Sequence, residues 1–265
     1  MSPQSNSLPI RLVRFCRLLL HLLAGIATAG LFFPHYSVTR RDRSIVRWAR
    51  KLLAILHIHV ELVGDIPQSE GAGCIIVANH ISWLDIFLIH TVCPAHFVAK
   101  SEIRDWPLVG WLCAKAGTLF IERERRHHTA KINELMRDAV NNGATIGLFP
   151  EGTTTRGDQL RKLHSSLFQA AVESGAPLVP VAIRYTDAQG QRSETAAYID
   201  DMSLAQSIAQ IIAAPELYVR LHFAAPIIIA DKNRRVLAAE TGDALTKLLF
   251  PAPPLQTKHG KRAAT

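Results

Sequence analysis

A histidine and an aspartate five positions apart, His80 and Asp85 in the run Asn79-His80-Ile81-Ser82-Trp83-Leu84-Asp85, are the pair in this sequence best suited to acid–base chemistry. The run follows the apolar stretch Cys74 to Ala78, whose length and β-branched content predict a buried strand. A histidine at the end of such a strand lies at the rim where open α/β sheets bind ligands. Five residues of regular helix turn through about 140°, so the two side chains would not share a helix face. With His80 in a strand-to-helix loop, however, the chain can fold the imidazole back onto the carboxylate. Asp85 would then accept from one ring nitrogen, fix the tautomer and leave the other nitrogen as a base. The competing use of Ser82 and Asp85 is a capping box for the next helix. The two uses are compatible, with one Asp85 oxygen capping and the other meeting His80.

Other chemistries find less support. No Gly-x-Ser-x-Gly elbow occurs, which disfavours a serine hydrolase. Cys16, Cys74, Cys93 and Cys113 lack metal-type spacing and sit in apolar runs, so they are expected as reduced core residues in a cytosol-facing protein. The remaining histidines, His57, His59, His127 and His128 among them, form no convincing metal site, and no metal is expected.

The elements around His80 alternate. Short apolar runs at His59 to Val63, Cys74 to Ala78, His96 to Ala99, Thr118 to Ile121, Thr145 to Phe149, Leu178 to Arg184 and Leu217 to Phe223 predict strands. Between them Ser82 to Val92, Pro107 to Ala116, His128 to Asn141 and His164 to Ser174 predict helices, with Val236 to Phe250 a last one. This order predicts an α/β fold with a largely parallel or mixed sheet flanked by helices. At 265 residues the chain has room for one large core, and 48% apolar with 20% charged residues excludes a disordered tract.

The formal charge of +8 is confined to the N-terminal part. Residues 1 to 51 carry Arg11, Arg14, Arg17, Arg40, Arg41, Arg43, Arg47, Arg50 and Lys51 against Asp42 alone, and the rest of the chain is balanced. A basic arm beside apolar sequence suits an anionic membrane surface, and no motif for nucleic acid accompanies it. Leu18 to Phe33 is apolar apart from His21, and Ile10 to Phe33 could cross a bilayer with its arginines snorkelling. A tilted span, a hairpin in one leaflet, and a cleaved signal ending at Ala27-Thr28-Ala29 all remain open. The positive charge that follows favours a retained anchor on the cytosolic face of the inner (plasma) membrane. Ser44 to Ile58 has helical spacing and is expected either at the membrane interface or as a helix covering the core. The organisation expected is an anchoring segment over residues 1–58, a catalytic domain over 59–250 and a loose tail over 251–265.

Four ordered blocks resemble the glycerolipid acyltransferase family typified by 1-acylglycerol-3-phosphate acyltransferase. The first is the His-x4-Asp run already described. The others are Gly117-Thr118-Leu119-Phe120-Ile121-Glu122-Arg123, Phe149-Pro150-Glu151-Gly152-Thr153 and Val179-Pro180-Val181-Ala182-Ile183. The resemblance covers residues 79 to 183 and weakens after Tyr185. It implies that His80, backed by Asp85, deprotonates an acceptor hydroxyl that attacks a thioester carbonyl, with no covalent acyl-enzyme. It also implies that Arg123, Glu151, Gly152 and Thr153 contribute to substrate binding, although Arg123 also opens a charge run that could simply be solvated. The donor would be acyl-CoA or acyl carrier protein, with no further cofactor, and the partners membrane lipids and a lysolipid acceptor. Trp106, Leu108, Val109, Trp111 and Leu112 could wall an acyl-chain tunnel or belong to the core.

Two positions depart from the family pattern. Many members that take phosphate acceptors have an arginine after the third block's Gly-Thr and a lysine about ten residues on. Here Thr154 and His164 occupy those places; His164, weakly basic, is kept as a substrate-binding candidate, with Arg156, Arg161 and Lys162 as candidate replacements for the missing cations. The acceptor expected is 1-acylglycerol 3-phosphate, giving phosphatidic acid, with a lyso-ornithine lipid second. A catalytically silent membrane-binding protein on the same fold is disfavoured, because binding lipid alone requires neither His80 nor Asp85.

Overall fold

The computed structural model describes residues 5–66, 73–121 and 126–251. All seven apolar runs are strands: β1 (Ile58–Val63), β2 (Ile75–Ala78), β3 (Ala95–Lys100), β4 (Leu119–Ile121), β5 (Thr145–Leu148), β6 (Leu178–Thr186) and β7 (Leu217–Phe223). They form one sheet in the order β1-β7-β6-β2-β5-β3-β4. Every pairing is parallel except β6 with β7, so the sheet is mixed. β2 and β5 are buried at all positions, as their unbroken apolar runs require when helices cover both faces.

The helices are α1 (Leu8–Ala27), α2 (Val38–Ile55), α3 (Leu84–His90), α4 (Val109–Lys115), α5 (Arg126–Asn141), α6 (Gln169–Ser174), α7 (Leu204–Ala213) and α8 (Arg234–Leu249). One apolar cluster joins α1, α2, α3 and α7 to one face of the sheet, and a second joins α5, α6 and α8 to the other. The helix expected over His164 to Ser174 is split into a 3-10 turn, Ser165–Phe168, and α6. Sequence patterning missed α7, although Ser203 and Gln206 form a complete capping box at its start.

The N-terminal segment decides between the two readings of its second helix and corrects one expectation for its first. Leu52, Ile55 and Leu56 of the second helical stretch are 1–3% exposed. The apolar side of α2 therefore faces the core and not the membrane interface. Arg14 does not snorkel either: its guanidinium donates to the carbonyls of Ala214 at 2.6 Å and Pro215 at 2.7 Å, where α7 ends. A cation at that place satisfies carbonyls that a helix C-terminus leaves open. His21 faces inward as well, stacked on Trp48 with ring centroids 4.6 Å apart. Gly25 permits this close crossing of α1 and α2, since a Cβ there would fall 2.5 Å from Trp48 Nε1. The inward side of α1 is thus partly polar, while Leu12, Phe15, Leu19, Leu20 and Leu23 are exposed. From Leu8 to His35 the segment is long and apolar enough to cross a membrane.

His90, at the end of α3, is buried, and burial pushes its pKa down to about 4. The unfolded chain takes up a proton near pH 6.5 that the folded chain refuses, so stability falls as pH drops through that window. By pH 5 the loss from this one group is about 2 kcal/mol. Denaturant midpoints at pH 7 and pH 5 measure it, and His90→Gln is expected to remove that part of the acid sensitivity.

Candidate active site

His80 lies two residues beyond β2, and the chain leaves the sheet there for a specific reason. Asn79 replaces the backbone ladder to β6: its side-chain amide donates to the carbonyl of Ile183 at 3.0 Å and its oxygen accepts from the Ile183 N–H at 2.8 Å. His80 is then free to turn into the loop and is pinned on both backbone sides. Its N–H donates to Glu151 Oε1 at 2.8 Å, and its carbonyl accepts from the Thr155 N–H at 2.8 Å.

The imidazole folds back onto Asp85, with Nδ1 2.9 Å from Oδ2. Asp85 is completely buried. The same Oδ2 also accepts from the N–H groups of Ile81 at 2.7 Å and Ser82 at 2.9 Å. Oδ1 accepts from the Tyr185 hydroxyl at 2.7 Å. The capping and histidine-holding roles therefore share one oxygen, where separate oxygens were expected. The capping box is half formed: the carboxylate reaches the Ser82 N–H, but the Ser82 hydroxyl accepts from Leu84 N–H at 3.3 Å. A carboxylate that only accepts places the proton of His80 on Nδ1 and leaves Nε2 with its lone pair.

The ring plane is fixed by stacking. His80 lies on Phe149 with centroids 4.1 Å apart and planes 11° apart, and Phe149 lies on Phe97 at 5.5 Å. Gly147 makes the second contact feasible, because a Cβ there would come within 2.4 Å of the Phe97 ring. One face of the imidazole is thus covered while its side chain remains 19% exposed. The arrangement can accept a proton from a group arriving at Nε2.

The other expected site residues divide. Glu151 is buried and faces inward, where a surface lining the acceptor was expected; its second oxygen accepts from the Arg161 N–H at 2.8 Å. Burial raises its carboxyl above the usual range, and the N–H groups of Arg161 and His80 pull it back. Gly152 has φ +75°, a left-handed turn that returns Glu151 beneath His80. Thr153 and His164 are exposed, and the His164 backbone N–H donates to Pro150 O at 2.9 Å. Thr154 donates its hydroxyl to Tyr198 O. Arg123 lies outside the described residues. Trp106, Leu108 and Trp111 are exposed, and Trp111 lies against Gly30 near the end of the N-terminal helical segment. Among the described residues no group of three or more His, Cys, Asp or Glu side chains could hold a metal.

Of the candidate replacement cations, Arg156 is engaged by Glu194 at 3.1 Å and Asp200 at 2.8 Å. Arg161 and Lys162 are exposed. Tyr185 and Thr155 were missed as functional residues. The signal for Tyr185 was a polar-tipped ring in an otherwise apolar strand, which must find a partner when buried.

Comparison with known proteins gives the family. The acyltransferase family model matches residues 57–184. A 1-acyl-sn-glycerol-3-phosphate acyltransferase of Neisseria meningitidis is 34% identical over 92% of this chain and 91% of its own length. A lyso-ornithine lipid O-acyltransferase of Pseudomonas aeruginosa is also 34% identical, over 93% of this chain and 96% of its own. The crystal structure of the 1-acyl-sn-glycerophosphate acyltransferase of Thermotoga maritima shares the fold, with TM-score 0.60 and 21% identity over 91% of this chain and 99% of that one. With His80 and Asp85 in hydrogen-bonded contact at the strand end, and relatives matched along nearly their whole length, the chain belongs to the acyltransferase family.

Proposed function

We propose that this O-acyltransferase moves a fatty acyl group from a thioester, acyl-CoA or acyl carrier protein, to the free hydroxyl of 1-acylglycerol 3-phosphate, making phosphatidic acid for phospholipid synthesis. The observation that carries the chemistry is the His80 imidazole, fixed by Asp85 at Nδ1 and by Phe149 on one face. Nε2 takes the hydroxyl proton as the oxygen attacks the thioester carbonyl. The tetrahedral adduct collapses, the C–S bond breaks, and the departing thiolate receives that proton from the imidazolium. A positioned base of this kind contributes roughly 10² to 10⁴ in rate. Incubating the protein with labelled acyl-CoA and no acceptor is expected to leave no label on the denatured chain. Stable labelling would overturn direct transfer and require a covalent intermediate.

The loop tied to His80 supports this choice of acceptor. Glu151 bridges the backbone N–H groups of His80 and Arg161, which ties the start of the Arg161 side chain to the loop of the base, and an exposed guanidinium there suits a phosphate monoester. Thr154 and Arg156 favour the second acceptor, a lyso-ornithine lipid, because the arginine is neutralised by two carboxylates and the threonine adds no charge.

The exposed side of α1 would bind the membrane on its cytosolic face. Leu18 in the core and Arg14 at the end of α7 argue for a retained segment over a cleaved signal. Removing residues up to 58 would delete six core residues, Leu18, Leu52, Leu53, Ile55, Leu56 and Ile58, costing about 9 to 18 kcal/mol, as much as the whole stability of a typical domain. Point changes are the usable test. Replacing Leu12, Leu19, Leu20 and Leu23 with glutamine is expected to release the folded protein into the soluble fraction in flotation with anionic vesicles. Unchanged flotation would place the contact elsewhere.

A further inference from the structure

Tyr185 ends the apolar part of β6, and its side chain is buried on the face of the sheet that carries His80 and Asp85. Its hydroxyl donates to Asp85 Oδ1 at 2.7 Å, the oxygen that His80 does not use. Burial, with the Asp85 charge next, raises the phenol well above its usual range, so it remains an O–H donor throughout the working pH. Asp85 thus accepts from four groups: the Nδ1–H of His80, the N–H groups of Ile81 and Ser82, and the Tyr185 O–H. Three of these come from the loop that Asp85 itself caps. Tyr185 alone reaches it from a different element, and a β-strand in the middle of the sheet is a more rigid reference than a loop.

Two consequences follow. A carboxylate held only through Oδ2 could rotate about its Cβ–Cγ bond and carry that oxygen away from Nδ1; a donor fixed on Oδ1 prevents it. The phenol also draws charge towards Oδ1, which moderates the charge facing the imidazole. Resting on the assignment of His80 as the base, we propose that Tyr185 is a positioning residue for acyl transfer, fixing Asp85 under His80 and setting how strongly the carboxylate acts on the ring. Tyr185 touches no substrate, so its effect belongs in kcat and in the acid limb of the pH–rate profile, not in KM for the acceptor.

The test uses the full-length enzyme with two changes of opposite electronic sense. Tyr185→Phe keeps the ring and removes the donor. It is expected to lower kcat about tenfold, the size of one lost hydrogen bond to a charged group. It should also move the acid limb to higher pH, because the undiluted carboxylate stabilises the imidazolium more. Replacing Tyr185 with 3-fluorotyrosine keeps the fold and strengthens the donor, and is expected to move the acid limb to lower pH. KM for the acceptor stays within about twofold in both. Acid limbs in both variants that superimpose on wild type would overturn the proposal, since a merely structural tyrosine would scale the rate without moving the profile. Failure of the base assignment looks different: His80→Ala would then keep its activity whatever Tyr185 does.

Discussion

Replacing His80 with alanine is expected to lower acyl transfer at least about 100-fold, the lower end of a general base's contribution, while the protein remains folded. The fold survives because little rests on the ring. Asp85 keeps three of its four donors, from Ile81, Ser82 and Tyr185, so no buried charge is stranded. Phe149 loses a stacked neighbour worth about 0.5 to 1.5 kcal/mol, against a typical domain stability of about 5 to 15 kcal/mol. Both backbone bonds of residue 80, to Glu151 and Thr155, are retained by alanine. Asp85→Asn should lose less activity, because an amide can accept from the loop N–H groups and donate to the Tyr185 oxygen, keeping the geometry without the charge. Turnover by His80→Ala above about a tenth of wild type would contradict the base assignment.

Arg161→Ala is expected to lower kcat/KM for 1-acylglycerol 3-phosphate by about 10- to 100-fold, the range of one charge-assisted contact to phosphate. Glu151 fixes where this arginine starts, and its guanidinium has no hydrogen-bond or ion-pair partner among the described residues. Arg156 cannot serve as readily while Glu194 and Asp200 hold it. If Arg161 already grips the phosphate, the double change Thr154→Arg with His164→Lys gains little. A large gain from the double change, with Arg161→Ala neutral, would show an enzyme that has moved to a head group needing fewer cations. A wild-type preference of tenfold or more for lyso-ornithine lipid, about 1.4 kcal/mol in transition-state binding, would establish the same shift.

Local signals in the sequence were legible where one element decides them. β2 and β5 are unbroken apolar runs, and the His80 loop is marked by a polar run directly after such a strand. The Nδ1 contact between His80 and Asp85 could be argued from loop reach alone. What depends on distant strands could not. Tyr185 is 100 residues from Asp85 in the chain, and only the β2–β6 pairing brings them together. Glu151 was legible as a site residue but not in its direction, because its partners are backbone N–H groups that no motif shows. The basic arm was misleading for a related reason. Composition counts Arg14 as surface charge, whereas the end of α7, itself missed, draws it inward.

Transfer itself is the most direct measurement. The purified full-length protein is incubated with labelled acyl-CoA or acylated carrier protein and, separately, with 1-acylglycerol 3-phosphate, lyso-ornithine lipid and other lysolipids, and each product is identified by mass. The expected result is phosphatidic acid as the main product, formed by wild type and lost in His80→Ala. No O-acylated product from any lysolipid, or a product formed equally well without His80, would contradict it.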